Sequence, residues 1–471
     1  MIKKERYKSL EQMFQYVDLH FDAMAEELCR IASLPSVEGN DIGLKAARDF
    51  IAEKMNQLGL EVSIHDIENG SSLISASDIS GKKNTILFYN HYDVVPAGDL
   101  SQWATAPFDP VIKDGKLFAR GISDNKGCLM ARLQALEAIR AVENSLPVNL
   151  KFLFEGDEET GSPSMKKFSQ MNPEIFKSIT AADVCFWENS RTSDSETAWA
   201  SFGVRGDVEF ELRCRPIAFD VHARNGNLCP NAAWRLVWAL STMKDPITER
   251  VLIEGFYDRV IPPTDADRLV LDEFPFDEAG AKEHVHVDSF LLGKEGLELK
   301  ERLYLEPSFT INGLESGEVY REEGARHIVP HSAYAKISCN LVADQKAEDI
   351  FRLVRAHLDK HGFQDIELIL TDALTAVRTP VNLPITEELK HAASFVYKNP
   401  LVIELTMLGP GPASVLRDPW PNLPIIGIGP ANPDCGHHSP NENMKLEDYK
   451  RNIKYTIAVL YGLEEGDIIG I

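Results

Sequence analysis

NTILFYNHYDVV, residues 84–95, decides the fold. Its first half is an apolar run of strand-forming residues, and a histidine and an aspartate, His91 and Asp93, follow that run. Three further segments read the same way: LEVSIHD at 60–66, VNLKFLFEG at 148–156 and ADVCFWE at 182–188. Between them, NKGCLMARLQALEAIRAV at 125–142 has the length and spacing of a helix. Strands alternating with helices imply an α/β layer architecture. Upstream, residues 9–34 carry apolar side chains at three- and four-residue spacing, and 43–59 form a second helix closed by Gly59.

The pattern changes near residue 206. GDVEFELRCRP at 206–216 alternates as a half-exposed antiparallel strand does. A helix over 231–244, a strand over 332–342, a helix over 347–362 and a strand over 366–372 follow. The tail from about 376 returns to α/β character, with the apolar strand LPIIGIG at 423–429. The chain therefore reads as one α/β domain in two segments, 1–205 and 374–471, interrupted by an α+β domain over 206–373.

Composition narrows the function. A length of 471 residues favours two domains over one core. The formal net charge of −23 excludes the clustered basic surface that nucleic acid requires. The seven cysteines are scattered without a C-x-x-C pair, which suits free thiols in a reducing compartment. The first twenty residues show no apolar signal core, and no stretch approaches the roughly 18–20 apolar residues of a membrane span. The expectation is a cytoplasmic protein with no membrane or nucleic-acid partner.

Chemistry-bearing residues gather at strand ends. On an extended strand His91 and Asp93 share a face, so Asp93 is either the acceptor that fixes the tautomer of His91 or a mere neighbour. Asp124 precedes a helix, where a carboxylate either caps the helix or spreads its two oxygens over two cations. In FLFEGDEETGS, Glu155, Asp157, Glu158 and Glu159 crowd the end of an apolar strand. Like charges there raise one another's pKa unless a cation neutralises them. Adjacent residues point apart, so one can ligate metal while the other faces substrate as a base. Glu188 ends another apolar strand, and DCGHHSPNEN at 434–443 supplies His437 and His438. Ligands bind beyond the carboxyl ends of strands in such domains.

The stretches NHYDVVPAGDLSQWATAPFDP (90–110), DGKLFARGISDNKG (114–127), EGDEETGS (155–162) and GHHSPNE (436–442) resemble the dinuclear zinc metallohydrolases. That family includes carboxypeptidase G, aminoacylase, succinyl-diaminopimelate desuccinylase and the cytosolic dipeptidases, and the dipeptidase and carnosinase branch looks nearest. The resemblance implies a three-layer catalytic domain with a mixed sheet, phosphorylase/hydrolase-like, and an inserted lid and dimerisation domain. It implies two divalent metal ions per subunit, zinc first, with manganese or cobalt compatible with the same carboxylate-rich ligands. His91 and Glu188 match ligands of one ion, Glu159 and His438 match ligands of the other, and Asp124 matches the bridge. Asp93 matches the acid that orients His91, and Glu158 matches the general base. His437 falls on a variable position. A cis peptide is implied at Asp124–Asn125. DVHARNGNLCPNAAWRL (220–236) resembles the lid segment, with His222 matching a residue that reaches into a partner subunit's site and stabilises the oxyanion, which implies a homodimer.

Two departures concern recognition. In the dipeptidases an arginine on the segment matching 326–342 takes the substrate carboxylate; here Asn340 stands in its place and His327 replaces a threonine. Arg224 and Asn227 stand where the family has glycines. Arg224, His327 or Arg417 is then the candidate for a relocated positive contact. The expected reaction is hydrolysis of an amide bond in a small substrate. A dipeptide comes first, an N-acyl amino acid is the alternative in the same class, and a metal-independent binding protein on the same fold is the third reading.

Overall fold

The computed structural model describes residues 2–193, 196–318 and 326–470. The chain divides into two compact units. One comprises Met1–Gly203, Arg378–Met407 and Val415–Ile471; the other comprises Val204–Val377 and Leu408–Ser414. The stretch Leu408–Ser414, placed by sequence pattern in the outer domain, falls in the inner unit. The reason is local: the strand Met407–Pro410 pairs with the strand Gly203–Cys214. A four-residue strand containing Gly and Pro carries no periodic signal.

The first unit is built on a mixed sheet. Its strands run in the spatial order Glu61–His65, Leu73–Asp78, Asn149–Glu155, Thr85–His91, Val184–Trp187, Ile425–Gly427, Thr197–Ser201, Val402–Glu404. The strand Thr85–His91 is parallel to both Asn149–Glu155 and Val184–Trp187, and Ile425–Gly427 continues the parallel run. Central strands are covered on both faces, which is why residues 86–91 are all buried and the sequence shows no alternation.

Register in this central run is pinned by aromatic contacts. Phe88 lies opposite Phe152 on one neighbour and Phe186 on the other. Its ring stacks on theirs at centroid distances of 5.5 and 5.6 Å. On the opposite face Tyr89 stacks on Trp187 at 4.3 Å. A one-residue slip would turn every one of these rings to the wrong face. The rings therefore fix how far each strand end projects, and those ends carry His91, Glu155 and Glu188.

Helix Gly127–Val142 packs against Tyr7–Ala32 and Leu446–Gly462. It is buried almost all round, from Gly127 to Leu136 without interruption. Arg132 sits in this buried helix and is 1% exposed. Its guanidinium donates to the carbonyls of Tyr89, Phe186, Trp187 and Ile428, and to Asn90 Oδ1. These acceptors cap three neighbouring strands at their carboxyl ends, so one buried cation ties together the edge on which the site is built. Nothing in the spacing of the sequence announces that role.

The second unit has its own antiparallel sheet, in the order Thr310–Ser316, Ala333–Leu341, Gly203–Cys214, Glu367–Leu374. Val208, Phe210, Leu212 and Cys214 alternate into one core with Leu236, Ile337, Cys339, Ile350 and Val354. The helices Ala232–Ser241 and Ala347–Lys360 supply part of that core. Three short helices, Asp265–Glu273, Glu278–Val285 and Gly296–Leu305, come from a region whose sequence pattern assigns no element.

Candidate metal centre

Six of the sequence-predicted residues converge at the carboxyl edge of the parallel strands. His91 is the last residue of its strand and is fully buried. Glu188 directly follows Val184–Trp187. Glu158 and Glu159 form a single short turn beyond Asn149–Glu155. Asp124 and His438 arrive on loops.

Asp124 occupies the middle. Its Oδ1 is 3.2 Å from His91 Nε2, and its Oδ2 is 3.3 Å from His438 Nε2. His91 Nε2 lies 3.6 Å from Glu188 Oε2, and His438 Nε2 lies 3.1 Å from Glu159 Oε2. Each oxygen of one carboxylate therefore faces its own histidine–glutamate pair. The donor atoms of His91, Asp124 and Glu159 lie within 4.8 Å of one another, as do those of His91, Glu158 and Glu188. Glu158 is thus close enough to ligate as well as to accept a proton.

Asp124 does not cap the helix that follows. Its backbone, at φ −130° and ψ 88°, leaves the helical region inside the tight turn Ile122–Lys126, and the Asp124–Asn125 peptide is cis. Its side chain turns to the two histidines instead.

Asp93 supports His91 in two ways. His91 Nδ1 is 3.1 Å from the Asp93 carbonyl oxygen and 3.3 Å from Asp93 Oδ1. The backbone carbonyl is the nearer acceptor, an arrangement that side-chain alternation does not reveal. Asp93 Oδ2 also accepts from the Glu159 amide at 3.0 Å. Asp93 therefore couples the base of one strand end to the next.

Electrostatics match a cation site. Burial first, then the charge of Glu188, lifts Glu158 well above the ordinary carboxylate range. Burial, opposed by His91 and reinforced by Asp124 and Glu159, pushes Glu188 up to about 7. Hydrogen bonds that His438 donates to Asp124 and then to Glu159 push its pKa up to about 10. Burial disfavours the His91 imidazolium, but its bonds to Asp124 and Asp93 outweigh burial and raise its pKa well above the usual value. Glu159 Oε1 and Glu188 Oε2 are buried and meet no hydrogen-bond donor. Two acceptor-only oxygens in that state are costly, and a divalent cation satisfies them. The residue set fits a divalent-cation site.

Glu442, the last residue of GHHSPNE, has a role the sequence does not announce. It is 1% exposed. Its Oε1 accepts from the amides of Ser123 and Asp124 at 2.8 and 3.0 Å. Its Oε2 accepts from the Gly121 amide and from Arg120 Nη1, both at 2.8 Å. One carboxylate thus fixes the turn that presents Asp124. Glu442→Ala leaves three amides and a buried guanidinium unpaired, and is expected to cost about 3–5 kcal/mol of stability. Urea denaturation measures this; an unchanged midpoint would show that the turn does not depend on Glu442.

His437 is exposed, and its Nε2 lies 2.8 Å from the Ser123 hydroxyl. It contacts the wall of the Asp124 turn, while His438 faces Asp124 itself. Arg417 spends its guanidinium on the carbonyls of Pro421 and Arg378.

The remaining predicted residues lie in the second unit. His222 and Arg224 are exposed, and the Arg224 amide donates to His222 Nδ1 at 3.1 Å. The two-residue strands Val221–His222 and Ile328–Val329 pair, and the Ala223 amide donates to the His327 carbonyl at 2.9 Å. His222, Arg224 and His327 therefore share one surface. Asn340 lies elsewhere in that unit, on the strand Ala333–Leu341, and its amide donates to Ser308 Oγ at 3.3 Å.

The model of peptidase family M20/M25/M40 matches residues 87–461. The Beta-Ala-His dipeptidase of Homo sapiens is 29% identical over 368 residues, 74% of this chain and 71% of its own length. The Cys-Gly metallodipeptidase of Saccharomyces cerevisiae is 25% identical over 480 residues, 96% of this chain and 98% of its own. An M20 family metallo-carboxypeptidase from Sulfolobus solfataricus has a similar structure, with a TM-score of 0.84 at 30% identity over 93% of this chain and 99% of that one.

Proposed function

Because the chain belongs to peptidase family M20/M25/M40, we propose that it is a metal-dependent dipeptidase whose catalytic centre is the cluster around Asp124. The observation that carries this reading is the division of the Asp124 carboxylate between His91 and His438. In the proposal His91, Asp124 and Glu188 hold one divalent ion, and His438, Asp124 and Glu159 hold the other. Such ions supply Lewis-acid polarisation of a peptide carbonyl and make water acidic near neutral pH.

The chain's own groups do the rest. Glu158 accepts the proton of the attacking water and returns it to the leaving amine. Its raised proton affinity, set by burial, suits both steps. Asp93 holds the His91 ring so that Nε2 faces the cluster. His222 donates to the developing oxyanion.

The finer readings have separate supports. Zinc is the expected metal, with manganese and cobalt also suited to carboxylate and imidazole donors. A homodimer in which His222 acts on the partner's site accords with the exposed apolar face of helix Ala232–Ser241. There Trp234 and Trp238 stack at 5.8 Å while 56% and 53% exposed. The seven free cysteines suit a cytoplasmic location, and no helix among the described residues is long and apolar enough to cross a membrane. The dipeptide preference rests on the two relatives described as dipeptidases. Hydrolysis of an N-acyl amino acid is the second reading, favoured by Asn340 where a carboxylate-binding arginine is expected. His327 and Arg224, together on one surface, are the proposed substitutes for that contact.

The test is a panel of dipeptides and N-acyl amino acids assayed with zinc, manganese and cobalt in turn. Metal-dependent cleavage of dipeptides is expected. Cleavage of N-acyl amino acids alone would transfer the assignment to the second reading, and no metal-dependent cleavage of either class would overturn both.

A further inference from the structure

We propose that the second unit carries a binding site for a small organic carboxylate with an apolar body, held by Arg205 and Arg250. The site is a cavity of about 600 Å³ that lies wholly within that unit. Small-molecule sites span roughly 300–1,000 Å³.

Charge sets this cavity apart in a chain of formal net charge −23. Four cations, Arg205, Lys244, Arg250 and Arg302, line it against two carboxylates, Glu249 and Glu306. Two of the cations are already compensated. Lys244 Nζ is 2.5 Å from Glu249 Oε2, and Arg302 Nη1 is 3.1 Å from Glu306 Oε2. The other two have no carboxylate partner among the described residues.

Arg205 is the stronger observation. It is only 5% exposed, and its recorded hydrogen bonds run from Nη2 to the main-chain carbonyls of Leu303 and Glu306. Its Nε meets no acceptor. Asp207, two residues further along the strand, is also buried, and no ion pair among the described residues joins it to Arg205. A buried guanidinium without a counter-ion is unfavourable, and its planar fork fits a carboxylate. Arg250 is exposed, with its guanidinium carbon 4.1 Å from the centre of the Tyr257 ring, a contact that places its charge without neutralising it.

The rest of the wall defines the body of the ligand. Tyr257, Phe290 and Phe309 contribute aromatic surface. Asn340 lines the same cavity, so its side-chain amide is available as a further donor to a carboxylate oxygen. The residue standing where an arginine is expected thus shares a cavity with Arg205 and Arg250, the two arginines without a carboxylate partner.

A carboxylate can reach this cavity from two sources: the end of a peptide substrate, which rests on the dipeptidase reading, or a separate small acid. Calorimetric titration of phenylacetate into the metal-loaded full-length protein tests binding independently of turnover. Wild type is expected to bind phenylacetate and not 2-phenylacetamide, which has the same shape without the charge. Arg250→Ala, a change at an exposed residue, is expected to weaken binding by about tenfold or more, the usual scale for a charge-assisted hydrogen bond. Arg205→Lys, which keeps the charge and loses the fork, is expected to weaken it as well, with circular dichroism confirming the fold. No binding by wild type would overturn the proposal. So would equal affinity in both variants, which would place the probe at the metal centre. Kinetics then identify the source. If Arg250→Ala raises KM about tenfold for a dipeptide but not for its C-terminal amide, the site receives the substrate carboxylate. If KM is unchanged and phenylacetate alters the rate without competing, it receives a separate acid. Should no dipeptide be cleaved at all, the dipeptidase reading fails while the calorimetry still decides this one.

Discussion

Glu158→Gln is expected to keep its metal and lose about 10²–10⁴-fold in kcat, the range for removal of a general base. The substitution preserves size and takes away only the ability to accept and return a proton. Glu158 lies on the short turn Glu158–Thr160, whose geometry is fixed by bonds that do not use its side chain. The Gly161 amide donates to the Glu158 carbonyl at 2.8 Å, and the Glu159 amide donates to Asp93 Oδ2 at 3.0 Å. The turn should therefore persist in the variant. Metal content by atomic absorption and steady-state kinetics check the two halves separately. Turnover equal to wild type would remove Glu158 from the base role. Loss of metal together with turnover would instead assign it to the ligands, a role its proximity to His91 and Glu188 also permits.

Asp124→Ala is expected to lose both ions and all measurable hydrolysis. No other side chain in the cluster presents one oxygen to each histidine. The fold should survive, because Glu442 grips the main chain of this turn through the amides of Gly121, Ser123 and Asp124. Circular dichroism of the variant should match wild type while metal analysis falls to background. Retention of two ions would contradict the bridging assignment. His438→Ala should lose metal in the same assay, whereas His437→Ala, which touches Ser123, should keep it.

The same geometry sets the pH response of metal loading. His438 holds its proton to about 10 in the metal-free protein because Asp124 and Glu159 hydrogen-bond to it. A metal must displace that proton, so affinity should rise with pH through the neutral range.

The architecture was legible because its signals are local. The run around Phe88 is apolar without alternation, and GDVEFELRCRP alternates cleanly. Each pattern reports how many faces of a strand are covered, which depends only on neighbouring residues. The candidate positions were legible for a related reason, although their roles as ligands came only from the family resemblance. Residues at the ends of buried strands have no packing task there, so His91, Glu158, Glu159 and Glu188 stand out as polar punctuation after apolar runs.

Other features carried no such signal. Glu442 and Arg132 looked like ordinary charges in the sequence, yet each satisfies backbone groups contributed by distant segments. Leu408–Ser414 belongs to the second unit through a strand too short to show a period. Asn340 read as a lost contact, and only the folded chain places it beside Arg205 and Arg250 in one cavity.

By itself the sequence determined which strands are buried and which residues end them, because burial is written in composition and period. Only the tertiary structure decided that the two oxygens of Asp124 face opposite ways, one to His91 and the other to His438. That direction depends on a turn held by Glu442 from the far end of the chain, and side-chain direction set by a distant partner leaves no trace in local spacing.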